Sequence, residues 1–143
     1  MAFLTRAATI DDLDSIVYLS EHWGHPSSSE KMRSGVQEIL NHADHRVYLI
    51  QNEERITGWI HGVYLIHMES GAFVEITGLV VDQTFRRMGM GKILVEKIIE
   101  WSRSMNCKKV RVRSNILREE AHPFYTGIGF KEVKRQIVYD FTL

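Results

Sequence analysis

"GLVVDQTFRRMGMGKILVEKIIEWS", residues 78–102, decides how this chain is read. It opens on apolar, partly β-branched residues that suit a strand and passes through a polar turn. It closes on a helix whose Ile93, Leu94, Ile98 and Trp101 share one apolar face. Between strand and helix stand Arg86, Arg87, Met88, Gly89, Met90, Gly91 and Lys92. Backbone N–H groups and the helix dipole converge on an anion at such a place. Two well-known phosphate loops can be tested and rejected. A Walker A loop needs glycine where Arg86 stands and Ser or Thr where Ile93 stands. A dinucleotide fingerprint needs a third small residue at Leu94 and an acidic residue on the next strand. What remains is Arg-x-x-Gly-x-Gly. Taken alone, it fits a diphosphate cradle and an ordinary glycine-relieved helix turn equally well.

Working outward, Gly78 sits inside the strand 71–82, where a glycine signals a bulge or a close backbone approach. Upstream, "HRVYLIQ" (45–51) and "RITGWIHGVYLI" (55–66) read as a hairpin joined by "NEE". The N-terminus reads as a strand over 3–7, then a helix from Thr9 to Trp23 with Thr9 and Asp12 placed as a capping box. A second helix follows, capped by Ser29. Downstream come an alternating strand, "KKVRVRS" (108–114), a short helix in "REEAHPFYTGIGF" (118–130) and a closing strand, "IVYDFTL" (137–143). The order β-α-α-β-β-β-α-β-α-β is that of one α/β domain with a mixed, largely antiparallel sheet.

Composition narrows the function. The chain has 143 residues, 44% of them hydrophobic, which is enough for a core without disulfides or metals. The lone Cys107 suits a reducing compartment, and the early acidic residues do not read as a signal peptide. No apolar run nears the roughly 20 residues of a membrane span, so a cytoplasmic protein is expected. Net charge is zero, which argues against a general nucleic-acid binder. The charge is nonetheless uneven. Residues 1–85 hold 5 basic and 12 acidic side chains, and residues 86–113 hold 9 basic against 2 acidic. That split suggests a polyanionic small ligand at the middle of the chain.

At this point residues 78–102 resemble the acetyl-CoA-binding motif of the GNAT N-acetyltransferases. "SNILREEAHPFYTGIGF" (114–130) is similar to the strand-helix unit that follows in that family, and "RAATIDDLDSI" (6–16) to its usual opening. The resemblance implies a single domain over residues 1–143. Its fold would be α/β, with a mixed, mostly antiparallel sheet of about six to seven strands, about four flanking helices and splayed central strands. It implies acetyl-CoA as co-substrate, no metal, and direct acetyl transfer to a primary amine.

The resemblance also assigns roles. The amides of Arg87, Met88, Gly89, Met90, Gly91 and Lys92 would wrap the pyrophosphate, with Arg86 beside it. Leu79, Val80 and Val81 would pair with the pantetheine arm, and Asn115 would contact it. The Leu79 N–H would face the thioester carbonyl. Glu75 is the expected general base, because a protonated amine with a pKa of about 10 is not nucleophilic. Tyr125 is the expected general acid toward the departing thiolate. Glu21, His22, Trp23 and His25, with Glu30 nearby, would line an acceptor pocket for a small cationic amine. "SNILREEAHPFY" also resembles aminoglycoside 6′-N-acetyltransferase-like members. His22 and His25 have a metal-ligand spacing, but no cysteine or carboxylate set completes a site. The acceptor could also be a peptide, and an acetyl-CoA sensor without turnover is the reading from another class. The family often dimerises, which makes a homodimer one expectation.

Overall fold

The structure, a computed structural model, describes residues 3–24, 28–53, 55–85 and 88–143. Two compact units divide the chain, Met1–Arg113 and Ser114–Leu143.

The first unit holds a five-stranded sheet in the order β1 (Phe3–Ala7), β2 (His45–Asn52), β3 (Arg55–His67), β4 (Gly71–Val81) and β5 (Val110–Val112). Neighbours are antiparallel except β4 and β5, which run parallel and are joined by the crossover helix α3 (Met90–Ser104). Helices α1 (Leu13–Trp23) and α2 (Ser29–Leu40) lie between β1 and β2 in sequence. Asp12 fixes the entry to α1. Its carboxylate accepts the Thr9 N–H at 2.8 Å and both Arg6 Nη groups at 2.8 and 2.7 Å. Ser28, not Ser29, caps α2, its Oγ accepting the Lys31 N–H at 3.2 Å. Ser28 has extended backbone angles, whereas Ser29 is already helical, and a cap residue must stand outside the helix.

The two sheet faces bury different helices. On one, Val47, Leu49, Trp59 and Val80 pack with Ile16 and Leu19 of α1 and Val36 of α2. On the other, α3 presents the fully buried Leu94 and Ile98, and the Met90 sulfur takes a hydrogen bond from the Thr57 hydroxyl at 3.3 Å. A side chain on Gly62 would come within 2.9 Å of Ile98 Cδ1, so the α3 face of β3 must stay bare there. The apolar face read from the sequence of α3 is the buried one.

In the second unit, α4 spans Ala121–Ile128 with Pro123 in its first turn. It stops at Gly129 (φ 124°), whose N–H donates to Thr126 O at 3.1 Å. The expected closing strand over 137–143 is not formed, which leaves five strands instead of six or seven. Alternation makes a segment fit for a strand, but a strand exists only where a ladder partner pairs with it. Residues 114–143 contain no other strand. Ile137, Tyr139 and Phe141 of that segment are exposed.

Candidate active site

The site expected from the sequence centres on β4, and one irregularity shapes it. His61 of β3 pairs with Gly78, while Gly62 pairs with Ile76, so Thr77 is an extra residue in β4. This is the bulge that Gly78 announced. A Cβ on Gly78 would lie 2.8 Å from two carbons of the Trp59 ring, so the glycine is needed for packing. The β4–β5 ladder ends at Ile76↔Val112, at the bulge. Beyond it, Gly78–Val81 keep β3 on one side, and no strand pairs with their other edge among the described residues. Leu79, Val80 and Val81 therefore lie beyond the end of the short edge strand β5, on a stretch of β4 whose outer edge is open.

The turn after β4 is held by residues that sequence reading passed over. Asp82 is 1% exposed, and its N–H donates to Thr57 O at 2.8 Å. Its carboxylate accepts Arg55 Nη2 at 2.5 Å and the Thr84 N–H at 2.9 Å. Arg55 also lies over the Phe85 ring at 5.7 Å. Together these contacts pin the short 3-10 turn Gln83–Phe85 that leads into the glycine loop. The one local signal is an Asp two residues before a Thr at a strand end, which is an Asx turn.

Arg86 and Arg87 lie outside the described residues. Gly89 caps α3 with left-handed angles (φ 79°, ψ 7°), and nothing stands within 4 Å of where its Cβ would be. Glycine is thus required by the backbone there and leaves open space beside the helix start. The N–H groups of Met90, Gly91 and Lys92 are in the first turn of α3 and have no intrahelical acceptor. Met88 and Lys92 are exposed, while the Met90 side chain is buried and anchors the turn. An open strand edge followed by an open, donor-lined helix start fits an extended arm ending in a diphosphate, as coenzyme A has.

Glu75 pairs with Val63 and with Arg111, and its carboxylate accepts Arg113 Nε at 2.9 Å. Its side chain is 15% exposed and that of Arg113 is 48% exposed. Cross-strand partners share a face, which puts Glu75 with Val63, His61 and Trp59 on the α1/α2 side. The Thr77 hydroxyl is on that side too, 2.6 Å from His61 Nδ1, and His61 Nε2 is 2.8 Å from His45 Nδ1. Neither histidine was singled out by sequence spacing.

Glu21 and His22 are exposed on the last turn of α1, where the His22 ring stacks on Tyr18 at 4.0 Å and bonds the Tyr18 carbonyl. Trp23 is half-buried against the core cluster. His25 lies outside the described residues. Among the described residues no group of three or more His, Cys, Asp or Glu could hold a metal ion. In the second unit, Tyr125 packs edge-on to Phe124 and Phe130, with centroids at 4.9 and 5.6 Å. Burial raises its pKa, against a smaller lowering by Arg118, so the phenol keeps its proton at neutral pH. The Asn115 side-chain oxygen accepts the Leu117 N–H at 2.9 Å, which leaves its amide NH2 as the group able to reach a ligand.

Comparison with known proteins identifies the family and the fold. The family model described as acetyltransferase (GNAT) family matches residues 11–130. A glucosamine 6-phosphate N-acetyltransferase of Trypanosoma brucei brucei is 40% identical over 66 residues, 46% of this chain and 43% of that protein. The chain thus spans less than half the length of that curated relative in the match. An aminoglycoside N(6′)-acetyltransferase type 1 of Salmonella enteritidis is 25% identical over 133 residues, 83% of this chain and 90% of that protein. The solved structure of an aminoglycoside N-acetyltransferase in complex with CoA superposes with a TM-score of 0.90 at 18% identity, covering 99% of this chain and 96% of that one. At that identity the superposition speaks for the fold. With the family match running over most of the sequence, the chain belongs to the acetyltransferase (GNAT) family.

Proposed function

We propose that residues 1–143 act as one domain, an acetyl-CoA-dependent N-acetyltransferase that moves an acetyl group directly to a primary amine. The observation that carries this reading is the open edge of β4 running into the open start of α3. Acetyl-CoA would supply the acetyl thioester. Leu79, Val80 and Val81 would hold its arm by backbone pairing. The amides from Met88 to Lys92, with Arg86 and Arg87, would hold its diphosphate. Asn115 is a further contact.

The Leu79 N–H is the donor assigned to the thioester carbonyl. Glu75, oriented by Arg113, takes the proton of the incoming ammonium group. Tyr125, whose phenol remains protonated, returns a proton to the thiol. For the acceptor we favour a small cationic amine. Glu21 and Glu30 are exposed acidic side chains of α1 and α2, the helices on the same sheet face as Glu75. The aminoglycoside and amino-sugar acetyltransferases among the relatives support that class.

A thiol-release assay with aminoglycosides, amino sugars, polyamines, amino acids and short peptides tests the proposal. Release with a cationic amine, falling about 100-fold in Glu75→Gln and in Tyr125→Phe, is expected. Tight CoA binding with no release on any amine would show an acetyl-CoA sensor instead. Release on peptides alone would move the acceptor to a protein terminus.

A further inference from the structure

We propose that Thr77, His61 and His45 form a proton relay that carries the proton given up by the acceptor amine away from Glu75 and out to solvent. The proposal rests on the N-acetyltransferase reading and adds residues to it. Three observations support it. The bulge leaves Thr77 without a partner residue in β3, and its hydroxyl meets His61 Nδ1 at 2.6 Å. The His61 and His45 rings stack at 5.0 Å, with Nε2 of one 2.8 Å from Nδ1 of the other. His45 then meets the exposed His42 ring edge-on at 5.5 Å. The chain thus begins at an exposed hydroxyl on the Glu75 face, passes through half-buried rings and ends at the surface.

Two ring nitrogens 2.8 Å apart must share one proton, so the tautomers are coupled. With the Thr77 O–H donating to His61 Nδ1, His61 Nε2–H donates to His45 Nδ1, and His45 carries its own proton on Nε2. A proton arriving at Thr77 Oγ, from Glu75 through water, pushes the Thr77 proton to His61 Nδ1. The His61 Nε2 proton passes to His45 Nδ1, and the His45 Nε2 proton leaves. One proton enters and one leaves. Each ring then tautomerises through water, losing its Nδ1 proton and gaining one at Nε2, which restores the starting state without sending a proton back along the chain.

Burial holds the His61 pKa down at about 4, with His45 adding to the effect. His45 is also lowered, by desolvation and His42, against Asp44 and Glu38. Both rings are neutral at pH 7, so the chain can pass a proton without retaining it.

The test is kcat in dilute, non-imidazole buffer from about pH 6 to 9 for Thr77→Val, His61→Gln and His45→Gln, with His67→Gln as a control at the exposed end of β3. Added imidazole is the second variable, and a melting curve shows that each variant is folded. Losses of about 10-fold or more in kcat, with an unchanged KM for acetyl-CoA and recovery as imidazole rises, are expected for the first three. His67→Gln and the wild type should be indifferent to imidazole. Histidine 15N NMR adds a readout without turnover, and the relay expects His61 to carry its proton on Nε2. Normal wild-type turnover with unaltered variants, or losses that imidazole does not restore, overturns the relay alone. A wild-type protein that releases no thiol on any amine overturns the acetyltransferase reading, and the relay falls with it.

Discussion

Replacing Gly78 with alanine should strain the β4 bulge at which the ladder to β5 ends. The added Cβ would lie 2.8 Å from both Cη2 and Cζ3 of Trp59. Carbon contacts are comfortable at about 3.5–4.0 Å, so the ring would have to retreat by roughly 0.7–1 Å. It has little room. Trp59 is 9% exposed, packs with Ile16, Leu19, Val36 and Val80, and donates its indole N–H to Ser20 Oγ at 3.2 Å. Overpacking a filled core costs about 1–3 kcal/mol. Urea denaturation should read that loss as a lower midpoint at unchanged slope. The double variant Gly78→Ala/Trp59→Phe separates packing from backbone effects, because the smaller ring vacates the contacted positions. A coupling energy of about 1 kcal/mol or more, with the alanine better tolerated in the Trp59→Phe background, is expected. If Gly78→Ala stays within about 0.5 kcal/mol of wild type and the pair shows no coupling, the clash is not what requires the glycine.

Gly89→Ala should behave differently, because no atom stands within 4 Å of the new Cβ but the backbone is left-handed. A stability loss of about 1–2 kcal/mol from strain alone is expected, with weaker CoA binding by calorimetry as the helix start shifts. Asp12 carries a pH dependence. The Arg6 hydrogen bond is the main cause that lowers its pKa, desolvation opposes it, and the Thr9 N–H lowers it further. A lowered folded pKa means its stabilisation is full above the unfolded value of about 3.9 and is lost as pH falls through the folded one. Asp12→Asn should therefore cost about 1–3 kcal/mol at pH 7, and in acid-denaturation curves the gap to wild type should shrink as pH falls below the ordinary carboxylate range.

Much of the frame was legible locally. The hairpin, the strand with its interior glycine, the apolar face of α3 and the glycine turn each rest on a period or a backbone preference visible within a dozen residues. The expected strand over 137–143 had the right pattern as well, yet it lacks a ladder, and a pattern cannot supply one. The candidate site was legible only in part. Glu75 and Gly89 were named from the sequence, but their settings were not. Arg113 reaches Glu75 from 38 residues away, Arg55 reaches Asp82 from 27 away, and Thr77 meets His61 from 16 away.

The sequence alone determined the order of elements, the glycine-capped start of α3 and, through residues 78–102, the family to which the chain is similar. Only the tertiary structure decided which polar side chains meet. The reason is register. Side chains alternate faces along a strand, so a single extra residue, Thr77, resets every contact beyond it. The bulge at that residue coincides with the end of the β4–β5 ladder and turns a hydroxyl toward a histidine pair; Gly78 marks its neighbourhood, but the pairing alone decides which residue is extra.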